Sequence, residues 1–429
     1  MNSTTIQPVS AVKGEICVPG DKSISHRSIM LGAIANGITV VHGFLRGEDN
    51  FSTMNAFRAM GVTIEDDGST LQIHGRGLHG LQEAGDVIDC GNSGTTIRLI
   101  TGLLSGQSFF SVVTGDQYLR KRPMKRVVDP LTRMGAHIMG RKGGTLAPLA
   151  INGGSLNAIG YDSPVSSAQI KSSIMLAGLY ADGETSVREP SQSRDHSERM
   201  FRLFGASLSS FNNGITVRGG YELTAQEVIV PGDISSAAFF IVAALITPGS
   251  ELLIRSVGVN PTRSGVIDIL KAMGGDIRLL EERELSGEPV ADILVRSSRL
   301  KGIAISGDVV PRAIDEFPVI CVAAACAEGI TSIRDARELR VKEADRITAM
   351  ATNLRILGVT VTEAEDGMDI SGVERMSGGQ IDSYGDHRIA MSFSIAALVA
   401  SRAVTINDTD CIATSFPTFF PLLEKVSHL

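Results

Sequence analysis

The 429-residue sequence contains no tryptophan, and aromatic residues make up only 5% of it. Its cores must therefore be built mainly from aliphatic side chains. No apolar run reaches the roughly 18 residues that a membrane-spanning helix needs. The N-terminal segment MNSTTIQPVSAVKGE lacks the basic and apolar regions of a signal peptide. We therefore expect a cytoplasmic protein with no membrane partner.

Cysteine is also scarce, with single residues at positions 17, 90, 321, 326 and 411 and no C-x-x-C pair. Scattered cysteines predict reduced, buried thiols rather than a disulfide framework. A net charge of −7 disfavours a nucleic-acid partner, which requires a broad basic face. A local cluster of Lys and Arg in this acidic chain therefore indicates a small anionic ligand. The length exceeds that of one ordinary core and predicts two domains.

Six segments of the chain share one pattern: a strand, a polar turn rich in small residues, and an apolar helix. They begin at residues 16, 87, 161, 229, 305 and 381, so the repeat is roughly 70 residues long. Between them recurs a helix, a glycine and a strand, with the glycine at positions 61, 135, 205, 274 and 358. A glycine there suits the left-handed residue that ends a helix.

A turn pair follows each of these strands: Asp67-Gly68, Gly143-Gly144, Asn213-Gly214, Ser286-Gly287 or Asp366-Gly367. Such pairs favour tight hairpins. Each unit therefore reads β-α-β-α-β-β, which places the protein in the α/β class. The first helix of a unit is apolar nearly all round and should be buried, whereas the second is amphipathic and should lie outside. The spacing leaves open whether the six units form one ring or two groups of three.

Cationic side chains concentrate in the turns and loops that precede helices. The stretch GDKSISHRS (20–28) begins a helix that Ser23 or Ser25 can cap, with Lys22 and Arg27 beside it. Loops such as RKRPMKR (120–126) and RVKEADR (340–346) add further cations. Equivalent ends of repeated units should share one face, where helix N-termini add positive potential for an anion. The alternative is a set of solvated loop charges around an ordinary helix cap.

Two acidic positions lie among these bases. We expect Asp315 and Glu316 in the buried first helix of the fifth unit, and Glu343 lies between Lys342 and Arg346. A carboxylate near cations keeps a low pKa and can act as a base, whereas an ammonium near other cations has a lowered pKa and can deliver a proton. The structural alternatives are an ion-paired helix start at Glu343 and helix capping by Asp315.

Eight motifs in one order give the sequence a specific resemblance. They are PGDKSISHRS, GNSGTTIRL, KRPM, SAQIKS, DEFP, RVKEADR, GDHRIAM and CIATSFP, and they span almost the whole chain. Together they resemble the 5-enolpyruvylshikimate-3-phosphate synthase family of enolpyruvyl transferases, which serve aromatic amino-acid biosynthesis. GDKS, SAQIK, RDHSE and NPTR resemble the second of its two sequence classes, in which tolerance of the inhibitor glyphosate is common.

The resemblance implies the two-domain enolpyruvyl transferase fold, with six βαβαββ repeats, three per domain, and buried inner helices. Its two crossovers fall near Gly20 and Gly232. One domain would then comprise residues 1–20 and 232–429 and the other residues 21–231, with the active site in the cleft between them. The family is usually monomeric and uses no metal or organic cofactor.

The family transfers the enolpyruvyl group of phosphoenolpyruvate to the 5-hydroxyl of shikimate 3-phosphate and releases phosphate, through a tetrahedral ketal. The resemblance implies catalytic roles for Asp315, Glu343 and Lys22. Implied contacts to shikimate 3-phosphate come from Lys22, Ser23, Arg27, Ser167, Gln169, Arg194, Asp315 and Lys342. Implied contacts to phosphoenolpyruvate come from Lys22, Gly94, Arg122, Gln169, Arg346 and Arg388. Planar guanidinium groups suit carboxylate and phosphate ligands.

Two positions bear on the inhibitor and on the family pattern. Thr414 stands where many first-class members carry a lysine, which argues against a phosphoenolpyruvate contact there. Gly94 leaves room that the alanine of strongly tolerant members would fill, so we expect glyphosate as a further ligand, with intermediate sensitivity.

Two alternative functions remain open at this point. The related transferase that acts on UDP-N-acetylglucosamine places a reactive cysteine in the loop that is TGDQYLRKRPM here, and this loop has none. A non-catalytic polyanion-binding repeat protein would have no use for Asp315 together with Glu343.

Overall fold

The computed structural model describes residues 2–427 and divides the chain into two compact units. Unit 1 comprises Met1–Pro19, Pro231–Glu284 and Pro289–Leu429, and unit 2 comprises Gly20–Val230 and Leu285–Glu288. Each unit combines short strands with buried and surface helices, so the predicted α/β class is confirmed. Within the described residues, no helix is both long and apolar enough to cross a membrane.

Each complete repeat forms a four-stranded sheet with one strand order. If its strands are numbered along the repeat, their order in the sheet is 1-2-4-3. Strand 1 runs parallel to strand 2, as a helical crossover requires, and strand 4 runs antiparallel to strand 2. Strands 3 and 4 form the hairpin that the turn pairs predict.

Unit 2 contains three such repeats. The elements of each repeat are given in the order strand 1, first helix, strand 2, second helix, strand 3 and strand 4. The first has strand Glu227–Ile229, helix Lys22–Ala33, strand Ile38–His42, helix Glu48–Ala59 and strands Thr63–Asp66 and Thr70–His74. The second has Ile88–Asp89, helix Gly94–Ser105, Phe110–Thr114, helix Lys125–Arg133, His137–Gly140 and Leu146–Asn152. The third has Gly160–Asp162, helix Ala168–Gly178, Glu184–Arg188, helix His196–Leu203, Leu208–Phe211 and Gly214–Arg218.

Unit 1 contains two complete repeats and a shorter one. The fourth repeat has strand Lys13–Cys17, helix Ile234–Ile246, strand Glu251–Gly258, helix Gly265–Ala272 and strands Asp276–Leu285 and Glu288–Arg296. The fifth has Ala304–Ile305, helix Phe317–Ala325, Ile330–Ile333, helix Arg346–Ile356, Thr360–Ala364 and Gly367–Ser371. The sixth has Gly379–Asp382, helix His387–Ala397, Val404–Asn407 and the N-terminal strand Ser3–Ile6.

The remaining elements connect or close the repeats. Two small parallel sheets pair Leu156–Asn157 with Ala181–Asp182 and Ala35–Asn36 with Leu223–Thr224. Short helical turns cover Leu119–Lys121, Arg141–Gly144, Val309–Arg312, Arg337–Val341 and Thr409–Thr414, and the C-terminal helix is Phe419–Ser427.

Strand exchange links distant parts of the chain within each unit. The strand before helix Lys22–Ala33 does not join the sheet of that helix, but pairs in parallel with Glu251–Gly258. Glu227–Ile229 takes its place beside Ile38–His42. The sixth repeat is likewise completed by Ser3–Ile6, which pairs with Val404–Asn407. A local pattern identifies these strands but not their partners, because pairing depends on contacts far apart in sequence.

The first helix of every repeat is buried, as predicted. In helix Ile234–Ile246, for example, every residue from Ile234 to Leu245 is buried. The backbones of two inner helices of unit 2 approach so closely that a Cβ on Gly102 would lie 2.1 Å from the carbonyl oxygen of Ser173. Aliphatic side chains dominate both cores, and Phe239, Phe240, Phe416 and Phe419 form the main aromatic cluster of unit 1.

The glycines predicted to end the outer helices do so: positions 61, 135, 205, 274 and 358 all have positive φ. Three details of the prediction were wrong. Helix Lys22–Ala33 is capped by Asp21 rather than by a serine, and Asp315 lies just before helix Phe317–Ala325 instead of within it. Cys17 is exposed, because the strand that carries it leaves alternate side chains outside the core.

Candidate functional site

In unit 2, most of the predicted site residues lie at or near the N-termini of the inner helices, whereas Arg122 and Arg194 lie in loops that precede outer helices. Asp21 caps helix Lys22–Ala33 by accepting a hydrogen bond from the Ile24 amide at 2.9 Å. The hydroxyl of Ser25 accepts from the Leu45 amide at 3.0 Å, which fixes the following loop instead of the cap. The first helical turn therefore begins with Lys22 and Ser23, both partly exposed.

Lys22 is held at this helix start from two directions. Its ammonium contacts the carboxylate of Asp49, and its carbonyl accepts a hydrogen bond from Asn50 Nδ2 at 3.1 Å. Both partners belong to the first turn of helix Glu48–Ala59, at the end of the stretch FLRGEDN (44–50). These two contacts hold the start of the helix and the ammonium of Lys22 at a fixed position.

Arg27 is the most deeply buried of the predicted cations in unit 2, with 5% of its surface exposed. Its guanidinium donates to Ser197 Oγ at 2.7 Å, to Ser172 Oγ at 2.8 Å and to the Ser23 carbonyl at 2.9 Å. Burial lowers the pKa of Arg27 to about 10, and the charge of Arg194 acts in the same direction. Arg27 is thus a rigid cation, and within residues 2–427 no carboxylate is bonded to it directly.

A second group surrounds Gly94. Arg122 donates to Asn92 Oδ1 at 2.6 Å, and Arg98 donates to Gln169 Oε1 at 2.5 Å. A Cβ on Gly94 would lie 3.0 Å from Arg98 Nη1 and 3.1 Å from Arg122 Nη1. The structure therefore brings Gly94, Arg122 and Gln169 together, and the small size of Gly94 lets both guanidinium groups approach the helix N-terminus.

Ser167 and Arg194 complete the predicted set in unit 2. Ser167 caps helix Ala168–Gly178, and its amide donates to Glu189 Oε1 at 2.7 Å. Arg194 is partly exposed and lies in the loop just before helix His196–Leu203. We did not predict the contact of Glu189 or the Ser167 cap of helix Ala168–Gly178, although Glu189 lies in the polar stretch REPSQSRDHSER (188–199).

In unit 1, five predicted residues form a connected group that we call the Arg346 cluster: Asp315, Lys342, Glu343, Arg346 and Arg388. Arg346 is 1% exposed, and its Nη2 donates to Glu343 Oε2 at 2.8 Å. Lys342 Nζ donates to Asp315 Oδ1 at 3.3 Å, and Arg388 Nη1 donates to the Asp315 carbonyl at 3.0 Å. Asp315 is thus near three cations.

Asp386, which is fully buried, anchors this cluster from behind. Its Oδ2 accepts from Arg346 Nε at 2.7 Å, and its Oδ1 accepts from Arg346 Nη2 at 3.3 Å and from the Arg388 amide at 2.8 Å. Burial alone would lower the pKa of Arg346, but Asp386, Glu343 and Asp315 together raise it above its usual range. The guanidinium therefore stays charged, and its Nη1 is 3.6 Å from Asp315 Oδ1.

A second buried group lies beside Asp315. Glu316 accepts a hydrogen bond from the hydroxyl of Ser235, and its Oε1 is 3.6 Å from Arg263 Nη2. Arg263 also donates to Ser235 Oγ at 2.6 Å. Asp386, Glu316 and Arg263 occur in the quoted motifs GDHRIAM, DEFP and NPTR, but they were given no role there. The available signal was the presence of a further charged residue inside each of these motifs.

Thr414 stands where many first-class members carry a lysine, and its hydroxyl donates to the Cys411 carbonyl at 2.7 Å. Among residues 2–427, no group of three or more His, Cys, Asp or Glu side chains is placed to hold a metal ion. Each unit therefore offers cations and hydrogen-bond donors at or near helix N-termini, a pattern suited to phosphate and carboxylate groups. Unit 1 adds carboxylates that can accept a proton.

The chain is similar to known proteins over nearly its whole length. The family model described as EPSP synthase (3-phosphoshikimate 1-carboxyvinyltransferase) matches residues 6–423. A protein of that name from Pelobacter propionicus is 76% identical over 99% of both chains. One from Geobacter metallireducens is 70% identical over the full length of both.

A solved structure agrees with these sequence matches. The EPSP synthase of Acinetobacter baumannii superposes with a TM-score of 0.89 and 51% identity, over 99% of this chain and 98% of that one. The predicted enolpyruvyl transferase fold is thereby confirmed.

Proposed function

The chain belongs to the EPSP synthase family, and on that premise we propose that it transfers the enolpyruvyl group of phosphoenolpyruvate to the 5-hydroxyl of shikimate 3-phosphate. Phosphate is the second product. The observation that carries the proposal is the Arg346 cluster, in which two carboxylates, Asp315 and Glu343, lie directly among three cations. A simple anion-binding site has no need of these carboxylates.

The reaction is an addition followed by an elimination, and we propose proton-transfer roles for three side chains. Asp315 accepts the proton of the attacking 5-hydroxyl as the oxygen bonds to C2 of phosphoenolpyruvate, while C3 takes up a proton to give a tetrahedral ketal. A proton then leaves C3, the C2–O bond to phosphate breaks, and the enol ether forms. Glu343 and Lys22 handle the C3 proton. Lys342, whose Nζ donates to Asp315 Oδ1 at 3.3 Å, orients that carboxylate to act as the base.

We propose the following substrate contacts for the predicted residues. Shikimate 3-phosphate would contact Lys22, Ser23, Arg27, Ser167, Gln169, Arg194, Asp315 and Lys342. Phosphoenolpyruvate would contact Lys22, Gly94, Arg122, Gln169, Arg346 and Arg388. The buried contacts of Arg27 and Arg346 support these roles, because a guanidinium that is already fixed loses little conformational freedom on binding.

The loop sequence and the burial of four of the five cysteines argue against the related transferase that uses a reactive thiol. The loop 114–124 contains no cysteine. Burial raises the pKa of Cys321, Cys326 and Cys411 to about 12 and that of Cys90 further still. A thiol with such a pKa carries almost no thiolate at neutral pH and is a poor nucleophile.

Three further features belong to the same proposal. The protein acts as a cytoplasmic monomer, and its sequence belongs to the second class of the family. Glyphosate binds at the phosphoenolpyruvate subsite with intermediate affinity, because Gly94 presents only hydrogen towards Arg98 and Arg122. An inhibition constant as low as that of the most sensitive first-class enzymes would reject this last point.

Phosphate release from phosphoenolpyruvate, measured with and without shikimate 3-phosphate, tests the proposed reaction. We expect release only when both compounds are present. Asp315→Ala should abolish turnover while shikimate 3-phosphate still binds, with reduced affinity because one proposed contact is lost. Asp308→Ala removes a matched exposed carboxylate in the same segment and should leave turnover unchanged. Release that ignores shikimate 3-phosphate, or a fully active Asp315→Ala variant, contradicts the proposal.

A further inference from the structure

A buried group of three charges lies in the third repeat, and no step of the proposed reaction uses it. The ammonium of Lys171, 3% exposed, is 2.9 Å from Glu189 Oε2 and 2.7 Å from Glu198 Oε1. The three residues come from helix Ala168–Gly178, from the loop after strand Glu184–Arg188 and from helix His196–Leu203. We call them the Lys171 triad.

The triad is poorly suited to a role in stability alone. Burying three charges carries a large desolvation penalty, and well-packed apolar residues are often at least as stabilising. In addition, Glu198 Oε2 is buried without a hydrogen-bond partner, which costs further stability. Burial alone would lower the pKa of Lys171, but Glu198 and Glu189 raise it above its ordinary value, so the ammonium remains charged. This cost in stability indicates that the triad, which links three elements, has a further role.

Glu189 connects the triad to two proposed substrate contacts. Its Oε1 accepts from the Ser167 amide at 2.7 Å, and its Oε2 accepts from Ser193 Oγ at 2.7 Å. Lys171 Nζ also donates to the Ser193 carbonyl at 3.4 Å. Ser193 immediately precedes Arg194, so the triad fixes the backbone on which both Ser167 and Arg194 are carried.

The other side of the triad adjoins Arg27. Ser172 and Ser197, which follow Lys171 and precede Glu198 in sequence, accept hydrogen bonds from the Arg27 guanidinium at 2.8 and 2.7 Å. Each helix thus contributes one residue to the triad and its neighbour to Arg27. Burial lowers the pKa of Arg27, and among the nearby charges the carboxylate of Glu198 does most to raise it again.

From these contacts we infer that Lys171, Glu189 and Glu198 are positioning residues that set Ser167, Arg194 and Arg27 for the phosphorylated acceptor substrate. The inference rests on the proposed function and adds to it. The triad does not touch the substrate. It holds three of the side chains that do, which come from separate elements of unit 2.

The test compares Glu189→Gln, Glu198→Gln and Lys171→Met with the wild-type enzyme. The first two keep side-chain volume and leave Lys171 one carboxylate, so they remain informative even where Lys171→Met does not fold. We expect the KM and the calorimetric Kd for shikimate 3-phosphate to rise about tenfold. The KM for phosphoenolpyruvate should change less, by under about threefold, because only Gln169 among its proposed contacts lies on the helix that carries Lys171.

Met175→Ala on the same helix is the matched control, since it removes a buried side chain that makes no polar contact with the triad. It should lower the urea midpoint without changing either KM. The inference is overturned if Glu189→Gln and Glu198→Gln, when folded, bind shikimate 3-phosphate like the wild type. Absence of turnover in the wild-type enzyme would instead contradict the proposed function, so the two failures are distinguishable.

Discussion

The contribution of Asp386 can be measured with Asp386→Asn, a change that keeps the side-chain volume but removes the charge. The carboxylate accepts two hydrogen bonds from the Arg346 guanidinium, at 2.7 and 3.3 Å, and one from the Arg388 amide at 2.8 Å. An asparagine oxygen can still accept one of these bonds, but its amide group turns a donor towards Arg346. Arg346 then depends on Glu343 and Asp315 for its remaining negative partners.

The expected loss follows from these contacts. A hydrogen bond to a charged group contributes about 1.5–3 kcal/mol, and removing one partner of a fully buried ion pair costs about 3–5 kcal/mol. Because Glu343 at 2.8 Å still compensates Arg346, we expect a loss within the smaller range, that of a hydrogen bond to a charged group, of about 2 kcal/mol. The same loss of position should raise the KM for phosphoenolpyruvate by about 10- to 30-fold, since 1.4 kcal/mol corresponds to a factor of ten.

Urea unfolding and steady-state phosphate release together check this prediction. Asp382→Asn is the matched control: its carboxylate is exposed and accepts a bond from the Tyr384 amide, outside the Arg346 cluster. The control should change neither quantity. Wild-type stability and an unchanged KM in Asp386→Asn would refute the reasoning, because they would mean that the buried carboxylate neither stabilises nor orients Arg346.

Two further predictions concern unit 2. Gly94→Ala should raise both the KM for phosphoenolpyruvate and the inhibition constant of glyphosate, because the new Cβ would lie 3.1 Å from Arg122 Nη1. Steady-state inhibition kinetics check this prediction, and unchanged constants would contradict the contact. Burial holds the pKa of His26 well below 6.5, so the unfolded chain takes up a proton that the folded one refuses. The free energy of unfolding should therefore fall by up to about 1.4 kcal/mol per pH unit below pH 6.5, and His26→Asn should remove that part of the slope in urea titrations at pH 5 to 7.

The resemblance of eight motifs predicted the family, the reaction and the site residues. The pattern of residues alone predicted the six repeated units. Apolar helices without a polar face predicted burial, and all six inner helices are buried. The helix–glycine–strand spacing also predicted five positive φ angles correctly. These features depend on neighbouring residues, which is why the sequence reveals them.

The sequence by itself determined which elements form and which cations lie at helix starts, because helix capping, periodicity and turn formation act over a few residues. Only the tertiary structure decided which strands pair and which buried acids hold those cations. Lys13–Cys17 pairs with Glu251–Gly258, and Asp386 holds Arg346 from forty residues away in sequence. The physical reason is that a β-ladder or a buried ion pair forms wherever folding brings complementary groups together. Which groups meet depends on the whole fold, and their separation along the chain does not predict it.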